Sequence, residues 1–111
     1  MRWPIKNSFY GDAIFEADTI LGRVALRNGD IATAKDLLLA SVGVGSYSWL
    51  GTMGPEMGLA QELLVRGERD TVIQFLTICK TFWKTDKGNA DLWIAAIKGG
   101  GTPALTPRRD N

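Results

Sequence analysis

The strongest constraint on this chain is an internal repeat. Asp18 to Ser41, DTILGRVALRNGDIATAKDLLLAS, reads as two antiparallel helices broken at Asn28-Gly29-Asp30. A degenerate copy follows at an offset of 38 residues. Glu56, Leu59, Ala60 and Leu63 fall on Asp18, Leu21, Gly22 and Ala25, Val72 and Leu76 fall on Ala34 and Leu38, and Gly67 falls on Gly29. A unit that recurs in this way is one supersecondary element, which buries its apolar faces by stacking on its neighbour.

The residues support the helical reading. Ile14, Ala17, Leu21 and Ala25 share one face of a helix, while Phe15, Gly22 and Leu26 form a second. A helix with two apolar faces is expected to lie buried between two neighbours. Gly22 in mid-helix costs about 1 kcal/mol against Ala; a small residue there lets a partner helix approach closely. Gly29 suits the left-handed position after a helix end, and Asp30 suits the N-cap of the next helix. Arg23 and Arg27 lie in the last turns of helix 1, where the dipole favours cations.

The spacing L-G-x2-A followed by A-x3-L resembles the tetratricopeptide pattern W-x2-L-G-x2-Y…A-x3-F. Asp18 stands where that pattern has Trp, and Ala25 where it has Tyr. A closer resemblance is carried by MGPEMGLAQELLVRGERDTVIQFLTICKTFWK followed by ADLWIAAIKGG. It looks like the C-terminal part of a family of bacterial tetratricopeptide-like proteins without an assigned biochemical function. In that family an "FGP" loop occupies the place of Met53-Gly54-Pro55, and a Trp-containing helix ends the domain. The resemblance spans about residues 11 to 102 and implies a fold rather than a reaction. Relatives of that family continue N-terminally. The resemblance therefore implies a truncated or stand-alone chain whose helix 1 has an uncovered face, unless something replaces the missing part.

The expected fold is all-α: two antiparallel helical hairpins plus a C-terminal capping helix. An aromatic arm at 1–10, with Trp3, Pro4, Phe9 and Tyr10, is expected to lie across helix 1 or on a second subunit. The helical domain is placed at 11–99. Helix 1 runs from Gly11 to Asn28, helix 2 from Ile31 to Val42, helix 3 from Pro55 to Arg66 and helix 4 from Arg69 to Lys84. Asn89 is expected to cap helix 5, 89–98, whose Leu92, Trp93, Ala96 and Ile97 would cover helix 4. Gly99-Gly100-Gly101 is read as a helix stop, and 100–111 as a flexible tail.

Composition bounds the function. The chain has 111 residues, enough for one domain, with 45% apolar and 23% charged residues and a net charge of +1. Interspersed charges of both signs argue against nucleic-acid binding by bulk electrostatics. No apolar run approaches the roughly 18 residues of a membrane span, and the N-terminus lacks the apolar core of a secretory signal. The single cysteine forms no intramolecular disulfide and fits a reducing compartment, so a cytoplasmic protein is expected. The absence of histidine removes Ser-His and Cys-His nucleophile activation and His-based zinc sites. No enzyme, cofactor or metal is expected.

Two surfaces are candidate sites. Asp12, Glu16, Arg23 and Arg27 share a polar face of helix 1. It reads either as a solvated face of weak ion pairs or, by the resemblance, as part of a groove of helices 1 and 3 that binds a peptide or small ligand. The clamp with which some tetratricopeptide domains grip a C-terminal carboxylate is not carried over, because Thr19, Arg23 and Gly58 occupy its places. The second surface is Trp3 with Tyr47, Trp49, Leu50 and Met53 of the Gly-rich connection. It reads either as intrachain packing or as an interface between copies. Cys79 is read as a buried structural thiol, and Glu62, Glu68 and Asp70 as surface charge and capping. The expected function is a small non-catalytic protein-interaction module that self-associates as a dimer.

Overall fold

Phe15, Gly22 and Leu26 recur on one side of the first helix, and that side is buried. In the computed structural model, which describes residues 8–43 and 55–106, five helices follow one another. They are α1 (Ser8–Arg27), α2 (Ile31–Ser41), α3 (Gly58–Val65), α4 (Arg69–Cys79) and α5 (Asn89–Lys98). No strand occurs among the described residues, so the fold is all-α. α1 begins three residues before the expected Gly11.

The two bends are built alike. Gly29 and Gly67 have φ of +81° and +90°, the left-handed region that glycine enters without a Cβ penalty. The Gly29 N–H donates to the Leu26 carbonyl (3.0 Å) and the Asp30 N–H to the Ala25 carbonyl (2.9 Å). The Gly67 N–H donates to Leu64 (3.0 Å) and the Glu68 N–H to Leu63 (3.0 Å). Every partner is displaced by the same 38 residues. Each bend thus satisfies two carbonyls that the helix end leaves free. The residue after each glycine is acidic, but the two do different things. Asp30 accepts from the Thr33 N–H (3.1 Å) and hydroxyl (2.7 Å), capping α2. Glu68 makes no cap bond; its carboxylate pairs with Lys35 of α2 at 2.9 Å.

α1 packs along α2, and α3 along α4; α3 also contacts α1 and α2, and α4 contacts α2 and α5. The close approach expected at Gly22 is present. A Cβ built on Gly22 would lie 2.4 Å from Leu59 Cδ2 and 3.5 Å from Leu37 Cβ, so α3 seats Leu59 in the space the missing side chain leaves. Ala34, Leu38 and Ser41 of α2, with Val42 just beyond it, and Val72, Phe75, Leu76 and Cys79 of α4 add to the core. Trp83, beyond the end of α4, lies 6.0 Å from Trp93 of α5, ring to ring.

Several boundaries differ from expectation. α4 ends at Cys79 rather than Lys84, and turns lead to α5. Pro55 lies before α3, not at its first turn. Asn89 does not cap α5. It is the first helical residue, its amide donates to the Asp86 carbonyl (2.7 Å), and Asp86 Oδ1 accepts the Ala90 N–H (2.9 Å). On α5, Ala90, Trp93 and Ile97 are buried, whereas Leu92 and Ala96 face outward. Arg69 donates to the carbonyls of Ile97 and Gly101, closing the C-terminal end of α5. The tail is not loose as far as Thr106. Leu105 is buried, its N–H donates to Gln61 Oε1 (2.6 Å), and the Gln61 amide donates to the Pro103 carbonyl (3.2 Å).

Two substitutions test this packing. Gly22→Leu gains helix propensity worth about 1 kcal/mol but forces a side chain into Leu59. It should therefore destabilise by about 2–3 kcal/mol in urea titration; a neutral result would contradict the close approach. Asp30 is held below its usual carboxylate value of 3.8 by its bonds to Thr33. Its folded value is depressed, so its stabilisation is present above pH 3.8 and is lost as pH falls through the lower folded value. Asp30→Ala should lower the thermal midpoint at neutral pH, and the gap to the parent chain should close as the pH is taken below 3.8.

Candidate functional site

Among the described residues nothing covers the second apolar side of α1. Ile20, Leu21 and Val24 are 56%, 55% and 48% exposed, and Ala13 and Ala17 are exposed beside them. The expectation that helix 1 lies buried between two neighbours is corrected: Ile14 and Ala25 are half-buried at the margins, and Ala17 and Leu21 face outward. Residues 13, 17, 20 and 24 follow one helical stripe, with Leu21 on its flank. Grouped exposure of this kind marks a surface for another body, whereas single exposed apolar side chains need no explanation.

The repeat says what kind of surface it is. Shifted by 38 residues, Ala17, Ile20, Leu21 and Val24 become Pro55, Gly58, Leu59 and Glu62. Of these, Gly58, Leu59 and Glu62 meet α1. Pro55 and Leu59 are buried, and Leu59 fills the space above Gly22. Glu62 Oε2 accepts from Arg23 Nε of α1 at 2.8 Å. A Cβ on Gly58 would lie 3.1 Å from Arg23 Nη1. The second hairpin uses this side to join the first. On α1 the same side meets nothing among the described residues.

The polar face of α1 is divided. Arg23 is committed to Glu62, in a half-exposed pair worth about 0–1 kcal/mol. Asp12 is half-buried, while Glu16 and Arg27 are fully on the surface. The four do not converge on one point as a ligand clamp would require. Trp3, Tyr47, Trp49, Leu50 and Met53 lie outside the described residues. Ile20 and Val24 were not singled out from the sequence, and the 38-residue offset gave no signal for them, since their counterparts are Gly58 and Glu62; it matched only Leu21 with Leu59, which has a hairpin to pack on where Leu21 has none among the described residues.

Other clusters are occupied. A depression of about 400 Å³ is walled by Met57, Gln61 and Leu105, but both ends of the Gln61 amide already serve the tail backbone. A polar hollow of about 230 Å³ near Lys35 and Glu68 contains their ion pair, and Arg69 there points to the end of α5. Among the described residues no group of three or more His, Cys, Asp or Glu side chains is placed to hold a metal ion. None of the described helices is long and apolar enough to cross a membrane.

Cys79 is fully buried between Leu76 and Trp83, and burial first, then the negative charge of Asp86, push its thiol well above the ordinary range. The nucleophilic thiolate is therefore strongly disfavoured. A thiol reagent should label Cys79 in the native protein at least about a hundredfold more slowly than in urea, the ratio being set by how rarely the core opens; labelling at the unfolded rate would contradict its burial.

The chain matches no known family, no characterised protein and no solved structure.

Proposed function

We propose that this protein is a small non-catalytic interaction module, built from two tetratricopeptide-like hairpins closed at one end by α5, and that it self-associates. The observation that carries this reading is the open side of α1. Its apolar stripe of Ala13, Ala17, Ile20 and Val24, with Leu21 beside it, stands in the register through which α3 meets α1, and no described residue covers it. The identical bends at Gly29 and Gly67, and the seating of α3 on both α1 and α2, support stacked hairpins. The stripe exposes apolar surface to water at a cost of about 25 cal/mol per Å² of apolar area, which association recovers. The depressions described above carry side chains already bonded to their neighbours, and the thiol is buried in its protonated form, which favours binding over catalysis.

Sedimentation equilibrium over a hundredfold range of concentration is the direct test. The weight-average mass should climb from 12.1 kDa toward twice that value. Val24→Asp, which places a charge on the open stripe without touching the core, should hold the mass near 12.1 kDa. A parent chain that stays at that mass throughout contradicts self-association.

A further inference from the structure

We infer that the open side of α1 is covered by the same side of a second copy, the two α1 helices running antiparallel about a two-fold axis level with Leu21 and Gly22. This rests on the interaction-module reading and specifies its partner and geometry.

Three observations lead there. First, head-to-tail stacking is obstructed. In such an array the α1 stripe would lie on the far side of α3 and α4. That end is already occupied: Trp93 and Ile97 of α5 are buried in the common core, and Leu105 of the tail is tied to Gln61 of α3. Among the described surfaces, the grouped apolar stripe left for an identical chain is the open side of α1 itself, and open side on open side is an isologous pairing.

Second, the charges along one edge of the stripe are self-complementary. Glu16 and Arg27 are eleven residues, or three turns, apart and therefore share an edge, about 16 Å from one another along the axis. Both are exposed, and neither has an ion-pair partner among the described residues. A two-fold axis across the helix lays this edge against its own reverse. Glu16 of one copy then faces Arg27 of the other, and the converse, so two ion pairs form at once. Parallel helices would instead set this edge against the opposite one, which carries Leu21 and Asn28 and offers neither charge a partner. Charge placement of this sort selects orientation more than it adds affinity.

Third, the stripe suits a helix-on-helix contact. Ala13 and Ala17 keep the N-terminal half of the stripe low, while Ile20 and Val24 stand on either side of the axis, so the large side chains of the two copies meet at the centre of the contact. The stripe from Ala13 to Val24 is only about 17 Å long, and a standard interface buries about 800 Å² per partner. A contact of this size makes a reversible dimer.

The test uses the full chain. Glu16→Arg or Arg27→Glu should each weaken the dimer roughly tenfold by sedimentation equilibrium at low salt. The double variant should return to within about threefold of the parent. All three alter exposed side chains, and circular dichroism should show unchanged helicity. Orientation is read by mild oxidation. Ile20→Cys should form a disulfide-linked dimer, because the two copies of position 20 lie only about 5 Å apart along the helix direction. Ala13→Cys should not, because antiparallel helices hold the two copies of position 13 about 25 Å apart along that direction. A dimer that ignores the charge changes, or that links Ala13→Cys as readily as Ile20→Cys, overturns the antiparallel pairing while leaving self-association standing. A chain that is monomeric throughout overturns both.

Discussion

The arrangement of the described helices turns on one contact, the seating of Leu59 over Gly22. Leu59 is completely buried, and one of its δ-methyls occupies the space that a side chain at residue 22 would take. Burying a leucine contributes about 1.5–3 kcal/mol, which exceeds the cost of about 1 kcal/mol for placing glycine inside a helix. The contact fixes the distance between α1 and α3. It leaves Arg23 within 2.8 Å of Glu62 and lets α2 reach both α3 and α4.

Much of this architecture was legible in the residues. The recurrence of Gly29 at Gly67 located both bends, and the structure repeats their hydrogen bonds partner for partner. Gly22 was readable as a close approach because a glycine in mid-helix needs a compensating gain. The core stripes of α2 and α4 followed from apolar spacing. What the sequence could not reveal was whether a neighbour is present. Leu21 and Leu59 have the same pattern around them, yet one is 55% exposed and the other 0%. Periodicity specifies an apolar side, and only the assembled chain says what covers it.

The remaining departures have local causes. Asn89 looked like a cap because it precedes an apolar periodic run. Asp86, three residues upstream, reaches the same free N–H groups from the turn formed by Lys87 and Gly88, both at positive φ. The tail looked unattached because it is rich in proline and polar residues. A single leucine and the two-sided amide of Gln61 suffice to hold it, and neither produces a periodic signal. The polar face of α1 looked like one site. The structure divides it, because Arg23 lies close enough to α3 to find Glu62 whereas Glu16 and Arg27 lie on the outer edge.

The account therefore stands on the contact between α3 and α1, from which the nature of the open stripe is read. Nuclear Overhauser spectroscopy on a methyl-labelled sample measures it directly. Strong cross-peaks should join the Leu59 δ-methyls to the Gly22 α-protons, and the Leu21 methyls should show none to α3. Cross-peaks from Leu21 to α3, with Leu59 silent toward Gly22, would mean that α1 presents its other side to the second hairpin, and the stripe we assign to association would then be part of the core.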